Sequence, residues 1–278
     1  MAVGTGAQKT VETAQRTASE VRSYVALRLS VGVIAVLLPV LVVAVVAFRE
    51  HEVLASLSDS YYHRYANSVF IGAMFAFAAF LFSYEFSRWE NRLGNLGALA
   101  AALVAVFPTP PDAPTPEETV GGYVHFSSAT VFFVSLAVFC YVWSRDDAEG
   151  EPRRSYRVSS VLIVLAILTA LASKVPERVL DSGTPTGGVL AVVFLVAEVA
   201  VVEVFGFSWL LRGGIGVVRA WLATTIATGA TVVVIVLPVA LVNRLVPAGL
   251  AAVAVLAVPA LLWAQRPGAK GNRLTPAG

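Results

Sequence analysis

The segment Ser58-Asp59-Ser60-Tyr61-Tyr62-His63 joins two long apolar stretches, and a second histidine, His125, opens another apolar stretch on the same expected membrane face. Asp59 and His63 are four apart, so one helical turn would put carboxylate and imidazole on one side, within reach of each other or of a shared metal. His125 would complete a set of three protein ligands, the minimum for a divalent cation that keeps an open position for water. Ser60 supplies a hydroxyl, and Tyr61 and Tyr62 would sit at headgroup depth, where amphipathic rings collect. The same residues also describe a polar loop turned by its Ser-Asp pair. His125 reads equally as an acid/base group and as a hydrogen-bonding bridge between helices.

Glu198 lies in another apolar stretch. Counted from Gly187 it falls about 16 Å along a helix, near mid-bilayer, where an ionised carboxylate needs a partner or water. Glu203, five residues on, points about 140° away, so the two acids do not share a cavity in a regular helix. A depth gap of roughly 10 Å separates Glu198 from His125, and no direct contact between them is expected.

These residues must be carried by membrane helices. Leu29 to Phe48, Ala66 to Tyr84, Tyr123 to Trp143, Ala220 to Asn243 and Leu245 to Gln265 are each long enough to cross roughly 30 Å of hydrocarbon. Leu93 to Phe107, Val158 to Ser173 and Gly187 to Leu211 complete an all-α bundle of eight spans. A composition of 57% hydrophobic and 14% charged residues agrees and departs from that of soluble domains. A formal net charge of +2 does not indicate nucleic-acid binding. Charge placement is informative: fifteen Lys and Arg fall on the side of the termini and the even-numbered connections, against five opposite. Positive-inside bias then puts both termini in the cytoplasm of a multi-pass cell-membrane protein.

Residues 1–26 are polar, with Thr17 and Glu20 spaced as a capping box and apolar residues at helical intervals. They predict a weakly amphipathic helix on the inner surface leading into the first span, which follows too late to be a cleaved signal. Phe107-Pro108-Thr109-Pro110-Pro111 ends the third span, and a proline-rich loop runs from there to Gly122. Ser144 to Arg157 reads as a solvated connection. Gly213, Gly214 and Gly216 read as a helix connection, since no Gly-Lys-Ser/Thr follows. Cys140, inside a span, has no disulfide or metal partner. The expected organisation is an N-terminal segment 1–26, a six-helix core 27–213 and a two-helix extension 214–278.

Ser58-Asp59, Phe70-Ile71-Gly72-Ala73-Met74, His125-Phe126-Ser127-Ser128-Ala129, and Glu198 followed by Phe205-Gly206-Phe207-Ser208-Trp209 form a series. It resembles the DRAM, Frag and Sfk type of six-helix membrane protein over about Leu29 to Gly213. The resemblance implies a compact bundle concerned with membrane lipid organisation or lipid-anchor remodelling, with Asp59, His125 and Glu198 as a shared polar core. Ser60-Tyr61-Tyr62-His63 departs from the glycine and proline of the eukaryotic pattern, and the last two helices have no counterpart.

Three functions follow from these residues. The first is a lipid-binding or membrane-organising protein whose polar core includes Ser60, Tyr61, Tyr62 and Glu198. The second is a lipid-modifying enzyme using Asp59, His63 and His125, with a divalent metal on these three if any cofactor is needed. The third is a proton- or ion-coupled transporter using Glu198. No Gly-x-Ser-x-Gly elbow, His-Glu-x-x-His helix or nucleotide loop is present. Membrane lipid is the expected partner.

The charge bias makes a direct prediction. With Asp112→Cys and Ala148→Cys variants in intact cells, an impermeant thiol reagent should label only position 112; labelling of 148 alone would invert the orientation.

Overall fold

The computed structural model describes residues 4–52, 54–84, 87–111, 113–146, 152–179 and 186–243. Seven α-helices occupy them: α1 Gly4–Arg49, α2 Ala66–Phe82, α3 Arg88–Val106, α4 Pro116–Trp143, α5 Arg153–Val179, α6 Thr186–Arg212 and α7 Val217–Asn243. A short 3₁₀ turn, Ser58–Tyr62, lies between α1 and α2. Four helices are long and apolar enough to span a membrane, Glu12–Arg49, Pro116–Trp143, Arg153–Ser173 and Leu190–Arg212, and α2 is a shorter apolar helix. The expected eighth span, Leu245 to Gln265, lies outside the described residues.

Helices α1 to α6 pack in sequence, each against the next, and α6 returns to α1, so the six form a closed ring; α7 packs outside it against α1 and α6. Closure depends on small residues. A Cβ on Gly206 would lie 2.8 Å from Val36 Cγ2 and 3.0 Å from Ala35 Cβ, and one on Gly32 would lie 2.9 Å from the Leu210 backbone nitrogen. Glycine thus lets two backbones approach where no hydrophobic drive separates protein from lipid and contact alone holds helices together.

Helix ends are set by local chemistry. At α4 the Thr115 side chain accepts from the Glu118 amide and the Glu118 side chain accepts from the Thr115 amide, with Pro116 opening the first turn. This box starts α4 at Pro116, inside what the sequence reads as loop, and lifts the helix well above Tyr123. The expected box at Thr17 and Glu20 does not form: Thr17 lies within α1, its hydroxyl donating to the Thr13 carbonyl. No break separates the polar stretch from the first span, so α1 is one helix of 46 residues. At the end of α6, Gly214 takes φ +85°. The amides of Gly214 and Ile215 donate back to the Leu211 and Leu210 carbonyls, a Schellman cap that explains this glycine.

The end of the ring away from the 3₁₀ turn carries a buried polar clasp. Arg212 pairs with Asp146 at 2.9 Å and Glu90 at 3.8 Å. Trp143 Nε1 donates to Glu90 at 2.6 Å, Tyr84 donates to Glu90 at 3.4 Å, and Arg28 donates to both Tyr84 and the Arg212 carbonyl. Rings of Tyr84, Phe139, Trp143 and Trp209 meet edge to face around it, with centroids 5.0 to 6.3 Å apart. The clasp ties α1, α3, α4 and α6 to one another at one end of the bundle.

The ring closure is open to test. Gly206→Leu should lower the melting temperature in detergent by several degrees, because Val36 and the α1 backbone leave no room, whereas Gly72→Ala, with nothing within 4 Å of its Cβ, should leave it unchanged or slightly raised. Equal melting of both variants would remove the close α1–α6 approach as a determinant of stability.

Candidate functional site

At the other end of the ring the chain after α1 turns inward. The Leu57 amide donates to Glu198 Oε2 at 2.7 Å, a bond buried between the loop and the middle of α6. Loop residues Leu54, Leu57, Ser58 and Ser60 are buried as a consequence. The turn holds its own shape: Ser60 Oγ donates to the Leu57 carbonyl, and the Asp59 amide donates to Ser56 Oγ. Ser60 is therefore a structural hydroxyl of the turn. The Tyr62 hydroxyl donates to the Thr109 carbonyl and binds the turn to the proline-rich loop. Partial burial, followed by the negative charge of Glu118, raises the pKa of that phenol above its ordinary value. The Tyr61 carbonyl accepts from the Asn67 side chain.

His125 lies beneath this loop, 1% exposed. Its Nδ1 is 2.6 Å from the Phe107 carbonyl and its Nε2 is 3.0 Å from Ser58 Oγ. A carbonyl can only accept, so Nδ1 carries the ring hydrogen of the neutral imidazole. The Nε2 lone pair is left to accept from the Ser58 hydroxyl. Ser58, His125 and Glu198 line one cavity of about 210 Å³ whose other walls include Phe126, Phe133, Ile167, Leu171 and Phe194. At its rim Tyr123, Phe126 and Leu171 are exposed, so the cavity opens sideways between α4 and α5.

His125 and Glu198 face the same cavity from α4 and α6. The α4 helix begins nine residues before His125, and α6 begins twelve before Glu198. At 1.5 Å per residue the two stand about 14 and 18 Å from their helix starts. Glu203 is buried apart from this cavity, and neither of its carboxyl oxygens has a hydrogen-bond partner among the described residues.

Asp59 and His63 occupy a second centre. His63 Nδ1 is 2.6 Å from Glu50 Oε2, and its Nε2 is 3.7 Å from Asp59 Oδ2, which also accepts from the Ala55 amide. Asp59 and His63 thus meet as their spacing suggests, but His125 is engaged elsewhere with Ser58 and Phe107. Glu50, Glu52 and His63 each bring one donor atom within 4.8 Å of the others, the one group of metal-ligand type among the described residues. Sequence reasoning missed Glu50 and Glu52, which follow the first span, and it also missed Ser58 as the partner of His125. The pattern Ser58-Asp59 drew attention to the acid, while the hydroxyl one residue earlier faces the imidazole.

A closed ring of apolar helices, with a largely apolar cavity that holds a few polar side chains, defines an integral, multi-pass membrane protein. The chain belongs to the family described as Protein of unknown function (DUF998), which matches residues 33–208 and so includes both polar centres and the whole of α2 to α5. No curated protein and no solved structure matches it.

The Leu57–Glu198 bond has a measurable consequence. Glu198→Leu leaves a buried amide without an acceptor and should cost about 1–3 kcal/mol of stability in detergent. Glu198→Gln keeps a carbonyl oxygen and should cost much less. Equal melting temperatures for the two variants would mean that the amide bond does not hold the loop.

Proposed function

We propose that this protein binds an amphiphilic membrane lipid in the cavity between α4, α5 and the inward loop. The observation that carries the reading is the lining: Ser58, His125 and Glu198 at the closed end, aromatic and aliphatic side chains along the walls, and exposed apolar residues at the mouth. A volume of about 210 Å³ takes the polar linkage of a lipid rather than the whole molecule. The chains would leave through the flank into hydrocarbon, where their burial continues. Ligand sites of this kind combine an apolar wall with a few placed polar groups.

With both termini cytoplasmic, as the basic residues suggest, the cavity opens to the outer leaflet of the cell membrane. The resemblance to DRAM, Frag and Sfk proteins supports the same lipid-related role. The bond from the Leu57 amide supports a loop-holding role for Glu198 over transport through that carboxylate.

The test is photo-crosslinking in nanodiscs with a phospholipid carrying a diazirine near its ester linkage. Adducts should concentrate on Phe126, Phe133 and Leu171, and Ala129→Trp, which fills the cavity, should reduce them at least about tenfold while the protein still melts cooperatively. Adducts spread evenly over lipid-exposed positions such as Val161 and Leu222, unchanged in Ala129→Trp, would remove the reading.

A further inference from the structure

The geometry points to Ser58 and His125 as a nucleophile and general-base pair that transfers an acyl group from an ester lipid to water. This inference rests on the lipid-binding reading and adds a reaction to it. Three serines lie close together in the loop, and their hydroxyls are used differently. Ser60 Oγ donates to a carbonyl within the turn, and Ser56 Oγ accepts from the Asp59 amide. Ser58 Oγ lies 3.0 Å from His125 Nε2 at the wall of the cavity. The Phe107 carbonyl, 2.6 Å from Nδ1, holds the ring in the tautomer that leaves Nε2 free to take a proton. An imidazole positioned by a third group and hydrogen-bonded to a hydroxyl is the arrangement that activates a serine. With His125 1% exposed and the walls apolar, an ester carbonyl is the natural occupant beside Ser58 and bulk water is restricted.

The reaction balances within that set. Ser58 Oγ bonds to the ester carbonyl carbon as its proton passes to His125 Nε2. The tetrahedral adduct collapses, its bond to the leaving oxygen breaks, and that oxygen takes the proton from Nε2 and departs as an alcohol. Water then attacks the acyl-serine, giving one proton to Nε2; the bond to Oγ breaks, the fatty acid leaves, and Oγ recovers the proton. The net change is ester plus water to acid plus alcohol.

The full chain in nanodiscs, treated with an alkyl fluorophosphonate and mapped by mass spectrometry, should carry the phosphonyl adduct on Ser58 and not on Ser56 or Ser60. His125→Gln should slow that labelling by about 100-fold or more, the range that loss of a general base produces, and Ser58→Ala should abolish both labelling and fatty-acid release from an ester amphiphile. The mapping on unaltered protein decides the matter even if Ser58→Ala fails to fold. No adduct on Ser58, while the diazirine lipid still crosslinks to the cavity walls, would overturn the reaction and leave lipid binding standing. Loss of crosslinking as well would overturn both.

Discussion

Glu198 sits in the middle of the apolar helix α6, and the Leu57 amide donates to it. That one bond to Glu198, 2.7 Å long, draws the loop after α1 down into the ring. Ser58 is thereby carried to His125, and Leu54 and Leu57 are buried. The cavity, its polar end and the position of the 3₁₀ turn all follow from a chain that would otherwise cross the surface. The amide gains an acceptor, and the carboxyl group gains a partner where an unsatisfied buried polar group would cost about 1–3 kcal/mol.

The two ends of the bundle handle buried charge differently. At one, Arg212, Glu90, Asp146 and Trp143 satisfy one another side chain to side chain and are sealed by aromatic rings. Removing one member of such a set leaves a buried charge behind, so it acts as a fastener of the ring. At the other, side chains bond mainly to backbone: Glu198 to Leu57, His125 to Phe107, Ser60 to Leu57 and Tyr62 to Thr109. Backbone partners fix orientation and leave Ser58 and His125 lining the cavity.

Two sequences with the same spacing show why some of this was legible and some was not. Thr115-x-x-Glu118 and Thr17-x-x-Glu20 both have the form of a capping box. The first forms because Pro116 cannot donate an amide and the prolines before it stop any helix from running through. The second has helix-forming residues on both sides, and α1 continues past it. The same four-residue spacing thus caps a helix only where its context stops the chain from being helical on the upstream side. Arg28, Arg212 and Glu90 were legible only as charges near helix ends, since nothing local says that three different helices bring them together.

Apolar segments long enough to span a bilayer, separated by proline, glycine and charged connections, made this a membrane helix bundle from the sequence alone, because hydrocarbon admits only structures that satisfy their own backbone. That His125 and Glu198 need partners was also legible there, since a polar group entering that medium must be hydrogen-bonded or hydrated. Tertiary structure decided the partners. Ring closure between α1 and α6 sets the register that puts Leu57 over Glu198 and Ser58 against His125. Those pairings join residues up to 141 positions apart, and side-chain spacing along one helix carries no information about which neighbour faces it.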